Sequence, residues 1–178
     1  MAAVEDTRHL DSSAFVREAL RIVGPAEPGD VALDLPCGAG RHARHLADLG
    51  YRVIGADIDQ SCLETARRES VLQADAIEWR QLDARAELPF AIETFAVAAV
   101  VDYVDLDLLP RLVTLLKPGG YLIFQTFSNR GGNWTDLPKA GQAKHAVVDA
   151  RALRYRERAA GPAEVDRVTV RGLWQRDG

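Results

Sequence analysis

What is scarce in this sequence narrows it first. Two cysteines, Cys37 and Cys62, are too few for a disulfide framework and predict a reducing, cytoplasmic setting. No apolar run approaches the roughly 18 residues of a membrane span. The opening Met1-Ala2-Ala3-Val4-Glu5-Asp6 lacks the basic and apolar regions of a secretory signal. No set of His, Cys and Asp has metal-ligand spacing, so no metal is expected. No Ser/His/Asp order contains a nucleophile elbow. No basic stripe interleaved with aromatics is present, and the net charge of −4 argues against a general nucleic-acid binder. Internal repeats and low-complexity segments are also absent.

What remains is ordinary globular material, 47% apolar and 27% charged. A length of 178 residues suits one domain over 1–178, with 1–11 loosely held. The charge is uneven. Residues 1–128 carry 12 basic and 20 acidic side chains, whereas 129–178 carry 10 basic and 6 acidic. That basic end is either a solvated, arginine-rich strand face or a docking region for an anionic substrate or RNA.

The organising stretch is Val31-Ala32-Leu33-Asp34-Leu35-Pro36-Cys37-Gly38-Ala39-Gly40-Arg41-His42. Val31 to Leu35 reads as a buried strand. Gly38 and Gly40 make a tight turn, and Ala43, Leu46, Ala47 and Leu49 recur at helical spacing. Strand, glycine turn and helix form the first unit of a nucleotide-binding α/β fold. Glycine there lets the backbone bend sharply and a ligand approach closely. The helix start turns its free N–H groups and dipole toward the ligand.

Around this unit the pattern predicts a helix over 13–23 capped by Asp11 or Ser12. A helix over 41–49 follows, ended by Gly50. Next come a strand over 51–56 and a helix over 61–70. Strands follow at 77–82 and 95–101, then a helix over 107–116. Lys117-Pro118-Gly119-Gly120 should break that helix before a strand over 121–127. Residues 128–145 form a long connection of the kind that serves as a substrate lid. A short helix over 145–151 and an antiparallel hairpin, 152–159 with 164–174, complete the chain. The expected fold is α/β: a Rossmann-like three-layer sandwich with a mostly parallel seven-stranded sheet and an antiparallel C-terminal hairpin.

Four strands end in an acid: Asp34, Asp57, Asp83 and Asp102. Ligands of open α/β sheets bind at these carboxyl ends. Clustered carboxylates repel phosphates and favour a ligand with a positive charge, an amino group and hydroxyls. That favours S-adenosylmethionine over a dinucleotide. Asp57 follows Gly38 by 19 residues, the spacing of a carboxylate that bonds ribose hydroxyls.

With these residues in place, the chain resembles the class I S-adenosylmethionine-dependent methyltransferases. The acid and glycine turn of Asp34 to Gly40 carry the likeness. So do Asp57 in Gly55-Ala56-Asp57-Ile58, Asp83 before Leu88-Pro89-Phe90, and Leu116-Lys117-Pro118-Gly119-Gly120. More finely, Asp102-Tyr103, Leu108-Leu109-Pro110 and Gln125-Thr126-Phe127 are similar to short bacterial members related to tellurite-resistance methyltransferases. Pro36 departs from the glycine the family often has there.

The resemblance implies that Gly38 and Gly40 let the backbone pack against the methionine part, and that Asp34 supports its ammonium. It implies that Asp57 bonds the ribose, Ile58 lies against the adenine, and Asp83 with the Ala84 backbone receives the adenine amino group. Arg41 or His42 could face the methionine carboxylate. The activity implied is methyl transfer to a small-molecule acceptor. A nicotinamide-dependent oxidoreductase and a non-catalytic S-adenosylmethionine-binding domain are the alternatives. Asp102 and Tyr103 are the candidate catalytic residues, with His145 and Trp134 as further groups that could border the acceptor.

Overall fold

The computed structural model describes residues 11–127, 133–161, 164 and 166–178. In chain order its main elements are α1 (Ala14–Val23), β1 (Val31–Asp34), α2 (Arg41–Asp48), β2 (Arg52–Asp57), α3 (Gln60–Glu69), β3 (Ile77–Gln81) and β4 (Phe95–Val101). They are followed by α4 (Leu108–Leu115), β5 (Leu116–Gln125), α5 (Gln142–Ala146), β6 (Ala150–Ala160) and β7 (Arg167–Arg176). The strands form one sheet in the order β3-β2-β1-β4-β5-β7-β6. β3 through β5 are parallel, and β7 runs antiparallel to both β5 and β6. This is the expected architecture, hairpin included.

The sheet separates two cores. On one face Phe15, Leu20, Ala43 and Leu46, from α1 and α2, cover Val53, Val97, Ala99 and Ile123. On the other, Leu108, Leu109 and Leu112 of α4 cover Leu33, Ala98, Leu122 and Phe124. Each such leucine, fully buried, contributes about 1.5–3 kcal/mol. β4 is apolar on both sides because it lies between these cores, as its unbroken Phe95–Val101 run predicts.

Three local readings change. The α1 cap is Ser13, whose Oγ accepts from Val16 N at 3.2 Å, because Ser12 is buried and turned toward His42 instead. The Lys117–Gly120 stretch does not separate helix from strand. β5 begins at Leu116, which pairs with Phe95 across a register shift. The short helix lies earlier than expected, at Gln142–Ala146, since β6 claims the chain from Ala150. Of the proposed lid, 128–132 lies outside the described residues. Further along it, Leu137 is fully buried, Pro138 O accepts from Val168 N, and Lys139 bridges to Arg167.

Candidate functional site

Parallel pairing sets Asp34 opposite Gly55 and Ala99, Asp57 opposite Gln81, and Val101 opposite Gln125. The acidic strand ends therefore meet along one edge, where α2 begins.

Asp34 is the most unusual group there. It is wholly buried. Its Oδ2 accepts from Ala43 N in the first turn of α2 at 3.0 Å, and its Oδ1 has no partner among the described residues. Burial pushes its pKa from 3.8 up to about 7, opposed by the Ala43 N–H and by the nearby Arg41, with Asp57 adding to the rise. A buried carboxylate with a bare oxygen is costly unless something cationic or protic meets it. The neighbouring Cys37 thiol is held well above its ordinary pKa by burial and by Asp34 and Asp57, so it is not a nucleophile.

Asp57 organises the turn. Its Oδ2 accepts from Gly38 N at 2.8 Å and its Oδ1 from Asp59 N at 2.9 Å. Each oxygen retains a further acceptor site. Beside it Ile58 stays 60% exposed, an apolar surface offered at the mouth of the site. Asp83 turns the chain after β3 by accepting from Arg85 N at 2.9 Å. Ala84 is buried, with its carbonyl held by Arg111 at 2.9 Å.

The two glycines of the turn divide their work. Gly38 has φ +51°, and a Cβ there would meet nothing within 4 Å, so its open side faces free space. Gly40 has φ +77°, and a Cβ there would lie 2.3 Å from Cη2 of Trp79. Gly55 of β2 makes the other wall of the same slot, also at 2.3 Å from that indole. The open side of Gly38 thus leaves room for close approach, and that of Gly40 is filled from within the chain. Gly40 admits Trp79, which wedges α2 against the sheet. A glycine inside a strand signals such close backbone approach, and Gly55 was the mark of it in the sequence.

Arg41 and Asp102 come together across the edge. Arg41 Nη2 donates to Asp102 Oδ2 at 2.6 Å, both side chains being partly exposed. Asp102 follows β4 in a left-handed backbone, φ 58°, with its N–H on Gln125 O at 2.8 Å. Gln125 Nε2 donates to Asp102 Oδ1 at 3.3 Å, and Ser13 Oγ donates to Gln125 Oε1 at 3.0 Å. On the other side Arg41 Nε donates to His42 Nε2 at 3.1 Å, so His42 must carry its proton on Nδ1 and donate to Ser12 Oγ at 2.9 Å. Burial first, then Arg41, lowers the His42 pKa to about 3, which keeps that tautomer neutral at physiological pH. A chain of side chains thus runs from α1 through β5 and β4 to α2. The sequence marks Ser12 and Ser13 only as the start of a helix and Gln125 only as part of a strand-end motif, because the bonds from Ser12 to His42, from Ser13 to Gln125 and from Gln125 to Asp102 join residues 30, 112 and 23 positions apart, which no local spacing reveals.

Tyr103 stands half-buried after Asp102, and its hydroxyl beside the Arg85 guanidinium holds that group above its ordinary pKa. His145 lies apart: it is exposed at its ring nitrogen and bonds Gly141 O at 2.7 Å, within its own short helix. The Trp134 side chain lies outside what the structure describes.

Comparison with known proteins gives a consistent picture. The family described as "Methyltransferase domain" matches residues 32–120, half of the chain. A ubiquinone biosynthesis O-methyltransferase of Stutzerimonas stutzeri is 29% identical over 105 residues, 56% of this chain and 45% of that protein. A demethylmenaquinone methyltransferase of Clavibacter sepedonicus is 33% identical over 113 residues, 61% of this chain and 45% of that one. The chain therefore spans about half the length of the curated relatives it matches. Among solved structures, geranyl diphosphate C-methyltransferase from Streptomyces coelicolor, bound to S-adenosyl-L-homocysteine, superposes with a TM-score of 0.73 at 16% identity, over 90% of this chain and 74% of that one. At that identity the likeness is one of fold.

Proposed function

The chain belongs to the methyltransferase-domain family, and on that footing we propose that it moves a methyl group from S-adenosylmethionine to a small-molecule acceptor by in-line displacement. The observation that carries this reading is the fully buried Oδ1 of Asp34, which has no partner among the described residues, at the end of the strand that leads into the glycine turn. An ammonium group answers that oxygen, directly or through water, and a phosphate does not.

The donor supplies a methyl already activated on a sulfonium. The protein's work is to bind, orient and exclude water, and orientation alone is worth roughly 7–11 kcal/mol. Gly38 gives the methionine part close approach. Asp57 uses its remaining acceptor sites for the ribose hydroxyls, and Ile58 lies against the adenine ring. Asp83 accepts from the adenine amino group, with Ala84 beside it. Arg41 faces the methionine carboxylate while it holds Asp102 in place.

Asp102 and Tyr103 border the acceptor. A hydroxyl or ammonium acceptor must lose a proton, and Asp102 Oδ1, only loosely held by Gln125 at 3.3 Å, is the group to take it. A thiol or soft anion already ionised needs no base. The finer likeness to tellurite-resistance methyltransferases, carried by Asp102-Tyr103 and Gln125-Thr126-Phe127, inclines the acceptor toward that second class. On this reading no metal takes part, and the acceptor is a small molecule in preference to nucleic acid. The free cysteines suit a reducing, cytoplasmic setting. Among the described residues no helix is long and apolar enough to cross a membrane.

A thermal-shift comparison tests the donor. S-adenosylhomocysteine at about 100 times its Kd should stabilise the protein by about 2.7 kcal/mol, a Tm rise of about 5 °C or more. NAD should not. Stabilisation by NAD alone contradicts the proposal.

A further inference from the structure

Two cavities flank the acceptor side of the sheet edge, and their linings differ in sign. The larger, about 590 Å³, lies on the α4 face. Its three arginines, Arg85, Arg111 and Arg167, are opposed by three aspartates, Asp105, Asp107 and Asp136. Arg111 and Arg167 are also spent on the backbone carbonyls of Ala84 and Leu137. Such a lining favours no ion. The smaller cavity, about 240 Å³, lies on the α1 face over the end of β5. It is lined by Gln125, Phe127 and the three arginines Arg156, Arg158 and Arg171, and by no acid.

These arginines converge because of the hairpin register. Arg156 pairs with Arg171, Arg171 pairs in turn with Gln125, and Arg158 stands one step on, opposite Thr169. Residues opposite one another in neighbouring strands share a face. Arg156, Arg171 and Gln125 therefore form one row across β6, β7 and β5. Like charges directly opposite are unfavourable in a sheet, yet Arg156 and Arg171 form no ion pair among the described residues. Glu18 of α1 lines an adjoining cavity together with Arg154, Arg156 and Arg171, and makes no ion pair among the described residues. The last member of the row, Gln125, is bonded to Asp102 at the candidate acceptor position.

We propose that this row is the specificity site for the acceptor, and that the acceptor is a small organic anion whose carboxylate or phosphate is held by Arg156, Arg158 and Arg171. The proposal rests on the methyl-transfer reading and names its substrate class. It also accounts for the excess of basic residues beyond residue 128 in an otherwise acidic chain. Guanidinium forks from adjacent strands suit the planar oxygens of either anion.

Calorimetric titration with phenyl phosphate and with benzoate, at fixed ionic strength, tests it. Each is run with and without S-adenosylhomocysteine, and S-adenosylhomocysteine is titrated by itself. At least one anion should bind saturably, and the stronger of the two identifies the anionic group. In Arg156→Gln/Arg171→Gln its affinity should fall about tenfold or more, since each lost charge-assisted bond counts separately. Arg156→Lys/Arg171→Lys should retain part of it. S-adenosylhomocysteine affinity should change less than about twofold in both variants, which also shows that they fold. Equal anion binding by wild type and the glutamine variant, or no saturable binding of either anion, overturns the proposal. So does tight binding of a short single-stranded RNA that is lost in the same variant while neither small anion binds. An anion site that persists in protein unable to bind S-adenosylhomocysteine overturns the donor reading and not this one.

Discussion

The two ends of the carboxyl edge are built from different materials. At the proposed donor end the groups are backbone N–H donors and buried carboxylates: Asp34 on Ala43 N, Asp57 on Gly38 N and Asp59 N. At the proposed acceptor end they are long, exposed arginines on alternating strand positions, in register with Gln125. The donor end is rigid, because its geometry is fixed by the turn. The acceptor end is set by side chains whose positions the hairpin register decides. The difference suits a protein that keeps one donor and lets the acceptor be specified by a few surface substitutions.

The largest effect should come from Asp34→Asn. Removing the charge that answers the donor's ammonium should weaken S-adenosylhomocysteine binding about 100-fold, measured by calorimetry. The same change should not harm the fold, because an amide oxygen can still accept from Ala43 N. It should stabilise the unliganded protein. Asp34 has a folded pKa of about 7 against 3.8 when unfolded, so its carboxyl costs nothing below about pH 4. The cost grows as pH rises toward 7 and is complete above that, about 4 kcal/mol at most. Urea unfolding at pH 8 should therefore show the variant to be the more stable protein. A variant that binds as wild type would place the donor elsewhere and dissolve the contrast between the two ends.

A smaller pair of effects separates the two glycines. Gly40→Ala forces a methyl to 2.3 Å from Trp79 in a left-handed backbone, at a cost of about 3 kcal/mol by urea unfolding. Trp79→Leu in the same chain should return part of that loss by opening the slot. Gly38→Ala has no such neighbour and should cost only about 1 kcal/mol of strain. Its loss should instead appear in S-adenosylhomocysteine affinity. Equal stability losses at the two positions would mean that the slot between Gly40, Gly55 and Trp79 does not hold α2 in place.

How much of this was legible in the sequence follows the same division. The β1 turn and the acids Asp57 and Asp83 were readable because their chemistry depends on short, fixed spacings. The fold was readable because apolar β4 and the polar alternation of the hairpin have distinct periods. Gly40 was legible as a turn residue, and its packing against Trp79 was not, since Trp79 comes from a strand two positions across the sheet. Ser12 and Ser13 were legible only as helix-start residues and Gln125 only within its strand-end motif: the bonds from Ser13 to Gln125 and from Gln125 to Asp102 exist only once β4, β5 and α1 are assembled. The basic excess after residue 128 was plain as composition. That it gathers on one face beside Asp102 depends on register, which turns and packing set and a charge count does not.

The central claim is that a buried Asp34 receives the positive end of the donor. Proton release on binding tests it most directly. At pH 6.5 about half or more of Asp34 is protonated in the free protein, given its raised pKa. An arriving ammonium favours the carboxylate, so binding must expel that proton. Titrating S-adenosylhomocysteine in two buffers of different ionisation enthalpy should show a release of about half a proton or more at pH 6.5, falling toward zero by pH 8.5, with affinity rising over the same interval up to about pH 7. Buffer-independent heat at pH 6.5 together with tight binding would contradict the account.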